Sequence, residues 1–430
     1  MHTSRRRFLA AAAAGLALPS MSARAASPRR LVVLFAEGGW DVSFCMDPKF
    51  SSDQVDGPDF DEDPGNPDDR EALQTFGTGG GIPIAVNDFK RPAVSGYFSR
   101  WADRTAVVNG VWMGAIAHAT ARVRILTGTQ NQANPSFAAI TGHELGEALP
   151  LGSIDLSGGS YSGYLSASTG QVGYQSQIKA LMIDDAAFPA PAGADYTLPL
   201  YQADDADRAL LSARLSRRVT EVRPRWDDAG KNRAMLDGRA EALIRASRFR
   251  AEGASTIEKL RLGAAASLIE QADLAVDFLG GDLCRAVTLD SRRYWDTHDN
   301  NALQHDNFQA LFEGIDHLVT RLDETGLLND TLVVVVSEFT RTPTLNSGQG
   351  KDHWPHGSVL LAGGNVRGGR TYGGTDDRLE SRKIDLQTGE VDDGGHLNKY
   401  DNLASGILHA LDIDPGPWYP TISPFVAPFG

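Results

Sequence analysis

A six-residue apolar run, TLVVVV, occupies residues 331–336 and ends directly before Ser337 and Glu338. Such a run suits a strand buried on both faces, as in a parallel sheet with helices on each side. A second continuous run at 30–36 ends in the same way before Glu37, and weaker runs predict strands at 105–111, 284–289 and 358–362. Because helical patterns separate these runs, the sequence predicts an α/β fold with about seven or eight mostly parallel strands and helices on both faces.

Residues 204–280 form a long stretch that is rich in Ala, Arg and Glu and has a helical pattern. This stretch is interpreted as two or three helices inserted into the domain. The length of the chain suits one large α/β domain over residues 26–430, because a chain of this size can bury a substantial core.

The first 25 residues have the three parts of an export signal: a basic start with Arg5 and Arg6, a short apolar run, and a small-x-small site that ends at Ala25. The apolar run is too short to cross a bilayer, so no membrane span is expected. The order Ser-Arg-Arg-x-Phe-Leu is the twin-arginine pattern, which predicts export of the folded protein by the twin-arginine machinery. The expected location is therefore the periplasm or the medium.

Removal of residues 1–25 takes away four arginines and no acid, which changes the formal net charge from −14 to −18. A chain this acidic is a poor partner for nucleic acid or for an anionic membrane surface. The two cysteines, Cys45 and Cys284, lie at opposite ends of predicted parallel strands. A strand of about six residues would keep them roughly 20 Å apart, so a disulfide is not expected.

Acidic and imidazole side chains follow three of the predicted strands. Ligands of open parallel sheets bind beyond the carboxyl ends of the strands. The candidate ligands there are Glu37, Asp41, Asp296, His298, Glu338, Asp352, His353 and His356. Carboxylate oxygens suit hard divalent cations and imidazole nitrogens suit zinc-like ions. The sequence therefore predicts a divalent metal site (Zn, Ca, Mg or Mn) at one edge of the sheet, with the absence of any ion as the alternative.

Each of these residues also has a structural alternative. Glu37 or Asp41 alone would cap the following helix, and Asp296-Thr-His298 alone would form a turn. His305 lies in a helical pattern and is interpreted as structural. Glu338 follows a buried strand, where an unpaired carboxylate is costly, so it is expected to be paired, to cap a helix or to bind a ligand.

Residues 118–128 read HATARVRILTG, with Arg122 four positions after His118 and Thr-Gly at nine and ten. This spacing resembles the nucleophile signature of sulfatases. Four further blocks resemble an exported bacterial family with twin-arginine leaders: GGWD at 38–41, WDTH at 295–298, SEFTRT at 337–342 and DH at 352–353. That family lies within the alkaline phosphatase-like superfamily. The resemblance spans most of residues 30–375 and implies a three-layer α/β fold and metal-dependent hydrolysis of phosphate or sulfate esters.

The resemblance also implies roles for individual residues. It places His118 at the nucleophile and Arg122 at the arginine that steadies it, and Arg341 is a further catalytic candidate. The implied metal ligands are Glu37 or Asp41, the pair Asp296 and His298, Glu338, and His356 as the final histidine.

Two positions depart from the superfamily pattern. His118 replaces a hydroxyl or thiol nucleophile, and Phe339 stands where a metal-binding His or Asn is expected. Three repairs are open: His118 binds metal or attacks phosphorus, Thr120 supplies the hydroxyl, or one metal uses a rearranged ligand set with a bound water as nucleophile. The rearranged set would contain His298, Glu338, Asp352 and His353.

Three classes of function follow from these patterns. The first is an exported metal-dependent hydrolase that acts on small-molecule or polysaccharide esters of phosphate or sulfate. The second is a non-catalytic binding or assembly protein that retains the scaffold, because His118 and Phe339 remove two elements of the usual reaction. The third is a carbohydrate-processing protein, in which aromatic side chains would stack on sugars; the candidates are Tyr294, Trp295, Trp354 and Tyr372.

Overall fold

The computed structural model describes residues 29–171, 205–226, short stretches between 236 and 256, and 266–430. The predicted export signal at 1–25 lies outside the described residues. The fourteen described strands of the protein are β1 Arg30–Phe35, β2 Ala72–Phe76, β3 Ile82–Val86, β4 Thr105–Trp112, β5 Ser153–Asp155, β6 Thr169–Gln171, β7 Ala286–Asp290, β8 Thr331–Val336, β9 Thr340–Arg341, β10 His353–Trp354, β11 His356–Gly363, β12 Arg370–Gly373, β13 Lys383–Ile384 and β14 His396–Leu397. The described helices are α1 Pro92–Trp101, α2 His118–Thr127, α3 Phe137–Leu145, α4 Asp205–Trp226, α5 Leu268–Gly280, α6 Leu303–Glu324 and α7 Tyr400–Ala410.

Eight of the described strands form one central sheet in the order β12-β4-β11-β8-β1-β7-β5-β6. The strongest apolar runs, β8 and β1, lie side by side at its centre and are parallel. Both are buried along almost their whole length, as expected for strands covered on two faces. The predicted mostly parallel α/β sheet is confirmed.

Strand β11 is antiparallel to both of its neighbours, β4 and β8. The sequence predicted this strand at 358–362 without its direction. The segment between β8 and β11 contains the short antiparallel pair β9 and β10 and no described helix. A parallel connection needs a crossover of a dozen or more residues that usually contains a helix, so this hairpin-like return explains the reversed direction.

Helices cover both faces of the sheet. Val32 and Leu34 of β1 point into one apolar cluster, which also contains side chains of α1, α5 and α6. Leu31, Val33 and Phe35 point into a second cluster with side chains of α2, α3 and α7. The two-residue alternation of a strand thus feeds two cores, one on each face.

The C-terminal end of the predicted insertion at 204–280 contains helix α5. Helix α5 begins with a capping box formed by Ser267 and Glu270, and most of its apolar side chains are buried. It packs in the same core cluster as α6 and β7, so residues 268–280 are part of the central layers. Within the predicted insertion, α4 is described as a helix, and much of 227–265 lies outside the described residues.

Cys45 and Cys284 are buried free thiols. Burial raises the pKa of both thiols well above the usual range. Among the described helices, none combines the length and apolar character that a bilayer crossing requires.

Candidate metal centre

Four segments meet beyond the carboxyl ends of β1 and β8. Helix α2 begins with His118, and the loop after β7 carries Asp296 and His298. The short pair of β9 and β10 sets His353 opposite Arg341. Glu338 lies two residues after the end of β8. Separate parts of the chain therefore bring these side chains to one edge of the sheet, as the strand-end argument predicts.

His118 is held by a buried carboxylate. Its Nδ1 lies 2.8 Å from Oε1 of Glu338, which is fully buried. The backbone N–H of Gly38 donates to both oxygens of Glu338, at 2.9 and 3.1 Å. The hydroxyl of Ser337 lies 3.1 Å from Oε2. The carboxylate expected to be paired, to cap a helix or to bind a ligand is thus paired with His118 and Gly38.

The other two histidines are held in a similar way. Nδ1 of His298 lies 3.0 Å from Oδ1 of Asp352, and Nδ1 of His353 lies 2.6 Å from the carbonyl oxygen of Ile116. A carbonyl or carboxylate oxygen only accepts, so each Nδ1 must carry the proton in these contacts. A neutral ring with its proton on Nδ1 presents Nε2 with a free lone pair.

The Nε2 atoms of His298 and His353 converge with Asp296. Nε2 of His298 and Nε2 of His353 are 2.9 Å apart, and Oδ1 of Asp296 lies 3.1 and 3.3 Å from them. Two lone pairs at such a separation repel unless a proton or a cation lies between them. A tetrahedral zinc ion with bonds of roughly 2.0–2.1 Å would separate its ligand atoms by roughly 3.3 Å, so the three distances fit a bound ion.

His118 completes the group from the other side of Asp296. Its Nε2 lies 3.3 Å from Oδ2 of Asp296, yet this buried nitrogen has no hydrogen-bond partner among the described residues. Candidate ligand atoms of His118, Asp296 and His353 all lie within 4.8 Å of one another. The residues of this group therefore offer two imidazole nitrogens and one carboxylate to a single ion.

Arg341 anchors the carboxylate at the centre. It is fully buried, and its Nη2 donates to Oδ1 of Asp296 at 2.7 Å and also to the carbonyl oxygen of Gly38. Its Nε donates to the carbonyl oxygen of Gly39 at 2.7 Å. With these contacts Arg341 holds Asp296 against the turn after β1.

A family model described as "Protein of unknown function (DUF1501)" matches residues 28–421. The chain belongs to this family. No curated protein matches the DUF1501 chain in sequence.

Solved structures similar to this DUF1501 chain include alkaline phosphatase-like enzymes at low identity. One is a sulfatase from Pseudoalteromonas sp., with 11% identity, a TM-score of 0.38, and coverage of 90% of this chain and 68% of that chain. Another is the lipoteichoic acid synthase LtaP from Listeria monocytogenes, with 8% identity, a TM-score of 0.40, and coverage of 94% of this chain and 77% of that chain. A third is the alkaline phosphatase from the Antarctic bacterium TAB5, with 11% identity, a TM-score of 0.36, and coverage of 90% of this chain and 99% of that chain.

The electrostatics of the centre follow from its contacts. The hydrogen bond that His118 donates to Glu338 raises the pKa of His118, and the charge of Asp296 acts in the same direction. Burial lowers the pKa of His353. Burial alone would raise the pKa of Asp296, but the hydrogen bond and charge of Arg341 outweigh it and lower that pKa. Asp296 is therefore an ionised carboxylate near neutral pH.

Glu37 and Arg122 form a pair beside the cluster. Nη1 of Arg122 donates to Oε1 of Glu37 at 2.9 Å, and burial raises the pKa of Glu37. Arg122 lies one helical turn after His118, so both face the same side of α2. Thr120 is exposed, and at two positions from His118 it faces another side of α2.

Two of the predicted metal ligands are engaged elsewhere. Asp41 is fully buried; it pairs with Nζ of Lys351 at 2.8 Å and caps the turn at Ser43. His356 contacts the hydroxyl and the backbone N–H of Ser381 at 2.7 and 3.1 Å. Neither side chain contributes to the ion group found among the described residues, because each is held by its own protein partner.

Two other predicted ligands, Asp352 and Glu338, contact the Nδ1 atoms of histidines, which face away from Asp296. Asp352 contacts the outer nitrogen of His298, and Glu338 contacts the outer nitrogen of His118. Metal-bound histidines commonly donate their other N–H to a carboxylate in this way. Both carboxylates orient histidines in the structure.

The four predicted sugar-stacking aromatics differ in their exposure. Trp295 and Tyr372 are buried in the two cores, so they have no face to offer a sugar. Tyr294 is 70% exposed. Trp354 is partly buried against the first core cluster. Core packing thus removes two of the four residues on which the carbohydrate hypothesis depends.

Sequence reasoning missed two residues near the centre. The carbonyl of Ile116 fixes the ring of His353, and a backbone acceptor has no side-chain signal. Lys351 is fully buried against Asp41; its place directly before Asp352 and His353 gave a weak signal, since buried lysines need a paired anion.

Proposed function

We propose that the cluster binds one divalent cation and that the protein is an exported metal-dependent hydrolase of phosphate or sulfate esters. The observation that supports this most is the arrangement of the histidines. Three Nδ1 atoms contact oxygens of Glu338, Asp352 and Ile116, while Nε2 of each ring lies within 3.3 Å of a carboxylate oxygen of Asp296. Arg341 contacts Asp296 directly, and a bound cation would supply further positive charge between the Nε2 atoms.

The donor set fits some of the candidate ions better than others. Imidazole nitrogens with one carboxylate are typical of zinc, and they also suit other first-row transition metals. Calcium and magnesium prefer oxygen ligands in larger numbers. We therefore favour zinc, or manganese as the next choice, over calcium and magnesium.

A bound divalent cation would supply Lewis-acid stabilisation of the charge that develops on the ester group. The residues of the chain would hold and orient the substrate. Helix α2 begins at the centre without a side-chain cap at Ala117, so backbone N–H groups of its first turn remain available to an anion. Arg122, fixed by Glu37, would contact an anionic oxygen one turn further along.

The test is metal analysis of the full-length protein purified after export, followed by assays with p-nitrophenyl phosphate and p-nitrophenyl sulfate. We expect about one transition-metal ion per chain and turnover that a chelator abolishes and added Zn²⁺ restores. His353→Ala should lose both metal and turnover. Asp273→Asn is the matched control, because Asp273 of α5 pairs with His317 and Arg321 of α6. Metal-free protein with full activity would refute the proposal.

A second function, a non-catalytic binding scaffold, is favoured by one observation. Phe339 is fully buried, and its ring centroid lies 4.8 Å from His118 and 4.3 Å from His353. An apolar ring therefore occupies the position at which the superfamily pattern expects another metal ligand. Stoichiometric metal together with no turnover of either ester class would support this second function.

Export is a separate part of the proposal. It rests on Arg5, Arg6 and the cleavage pattern that ends at Ala25. Replacement of both arginines by lysine should leave the precursor inside the cell, as fractionation and N-terminal sequencing would show. Unchanged export of the double variant would argue against the twin-arginine route.

A further inference from the structure

We infer that His118 is a ligand of the cation and that Glu338 orients it, so that the position expected to hold a nucleophile holds a metal ligand. This inference rests on the proposed cation site. It concerns the part of that site that lies outside the closely spaced group of Asp296, His298 and His353.

The two nitrogens of His118 have different surroundings. Nδ1 is 2.8 Å from a fully buried carboxylate oxygen of Glu338. Nε2 is buried, makes no hydrogen bond to a described residue, and lies 3.3 Å from Oδ2 of Asp296. A buried nitrogen without a donor or acceptor is costly. A cation beside Asp296 would satisfy this lone pair.

Both oxygens of Glu338 already contact groups of the protein. Gly38 donates to both carboxylate oxygens, His118 is bonded to Oε1, and Ser337 to Oε2. The result is a carboxylate–histidine arrangement that fixes the tautomer and direction of His118. His298 and Asp352 repeat the arrangement at 3.0 Å, so the centre contains it twice.

Phe339 closes the space where a second ion would need a ligand. Its ring contacts the rings of both His118 and His353. Gly39 packs so closely that a Cβ at this position would lie 2.5 Å from the Phe339 ring. The ring therefore has little freedom to move aside, and the geometry points to one ion per chain.

As a metal ligand, His118 cannot act as the nucleophile. An Nε2 atom that donates its lone pair to the cation cannot also form a bond to phosphorus. Thr120 is exposed on another side of α2. Hydrolysis at this centre would therefore leave no phosphoryl group on residue 118.

The experiment is a Co²⁺ and Zn²⁺ titration of the exported, metal-stripped protein, read by calorimetry and by the Co²⁺ absorption bands. The variants are His118→Gln and Glu338→Gln. The control is His143→Gln, because His143 is exposed on α3 next to Trp418. Circular dichroism of the metal-free forms checks that each variant is folded.

We expect one ion per wild-type chain. Glu338→Gln should weaken binding by about 10- to 100-fold, as for other partners of metal-bound histidines. His118→Gln should weaken it by at least as much and should change the Co²⁺ bands, while His143→Gln should match the wild type. Mass spectrometry after p-nitrophenyl phosphate turnover should find no phosphorylated His118.

The outcomes are distinguishable. Wild-type affinity and unchanged Co²⁺ bands in His118→Gln would overturn the inference, while leaving the proposed site at Asp296, His298 and His353 intact. Two ions per chain, or a phosphorylated His118, would also overturn it. A wild-type protein that binds no ion would remove the proposed function together with this inference.

Discussion

The histidines of the centre and His305 differ in what their Nδ1 atoms contact. In the centre, Nδ1 of His118, His298 and His353 faces an oxygen acceptor. Nδ1 of His305 lies 2.7 Å from Nη1 of Arg91, which can only donate. His305 must therefore accept at Nδ1 and carry its proton on Nε2.

His118 and His305 differ most in their pKa shifts. Anionic partners raise the pKa of His118, with the hydrogen bond to Glu338 as the largest cause. Burial, with the charges of Arg91 and Lys90, lowers the pKa of His305 to about 2. The histidine side chain thus has a raised pKa in one region and a lowered pKa in the other. The partner of Nδ1 decides which ring nitrogen carries the proton.

The most damaging change to the centre should be Asp296→Asn. Asp296 is the group that every Nε2 atom of the cluster approaches, and the substitution removes its negative charge while it keeps its size. We expect cation affinity to fall by more than the roughly 100-fold upper range for outer partners, with activity lost in parallel. Calorimetry with Zn²⁺ measures the first effect, and an affinity within a few fold of wild type would contradict the assignment.

The largest effect on the His305 side should come from Arg91→Met. Arg91 and Glu71 form a buried ion pair with side chains 0% and 1% exposed, and removal of the arginine leaves Glu71 charged and unpaired. The free energy of unfolding should fall by about 3–5 kcal/mol, as measured by urea denaturation. Arg100→Met is the control, because Arg100 is 57% exposed in its pair with Asp316 and should cost at most about 1 kcal/mol.

The same comparison shows what the sequence can predict. The apolar runs identify β1 and β8 because strands buried on both faces need uninterrupted apolar residues. The order of strands then brings Asp296, His298, Glu338 and His353 to one edge. These predictions depend on local composition and on a general property of parallel sheets, and both can be read from a single chain.

The separate roles of the side chains at that edge could not be predicted. Asp41 follows β1 just as Glu338 follows β8, but Lys351 neutralises Asp41 through a contact between residues 310 positions apart. The carbonyl of Ile116 that fixes His353 leaves no trace in the residue type. Which carboxylate is paired and which nitrogen stays free are decided by tertiary contacts.

The pKa of His305 predicts a pH dependence of stability. In the folded protein this histidine stays neutral down to about pH 2, whereas in the unfolded chain it gains a proton below about pH 6.5. The unfolded state therefore binds more protons between these values. Stability is full above the unfolded pKa and falls as the pH decreases, by about 1.4 kcal/mol per pH unit from this group.

His305→Gln removes that contribution and keeps an oxygen that can accept from Arg91. Urea denaturation of both proteins from pH 7 to pH 4.5 should give a shallower acid limb for the variant. The difference in slope is the informative quantity, because other groups titrate equally in both proteins. Parallel curves would mean that His305 is protonated in the folded state, and the contrast with the centre would be lost.

The smallest effect should come from His356→Gln, although sequence reasoning placed this residue among the metal ligands. Nδ1 of His356 accepts from the backbone N–H of Ser381 at 3.1 Å, so its tautomer matches that of His305 and differs from the three histidines of the centre. Loss of this contact should cost about 1 kcal/mol of stability and leave the affinity for Zn²⁺ unchanged. Long-range ¹H–¹⁵N spectra provide the direct check, since His356 should carry its proton on Nε2. A proton on Nδ1 of His356, or a variant that no longer binds Zn²⁺, would indicate that His356 is a metal ligand. It would also contradict the inference that the partner of Nδ1 distinguishes the histidines of the centre from the others.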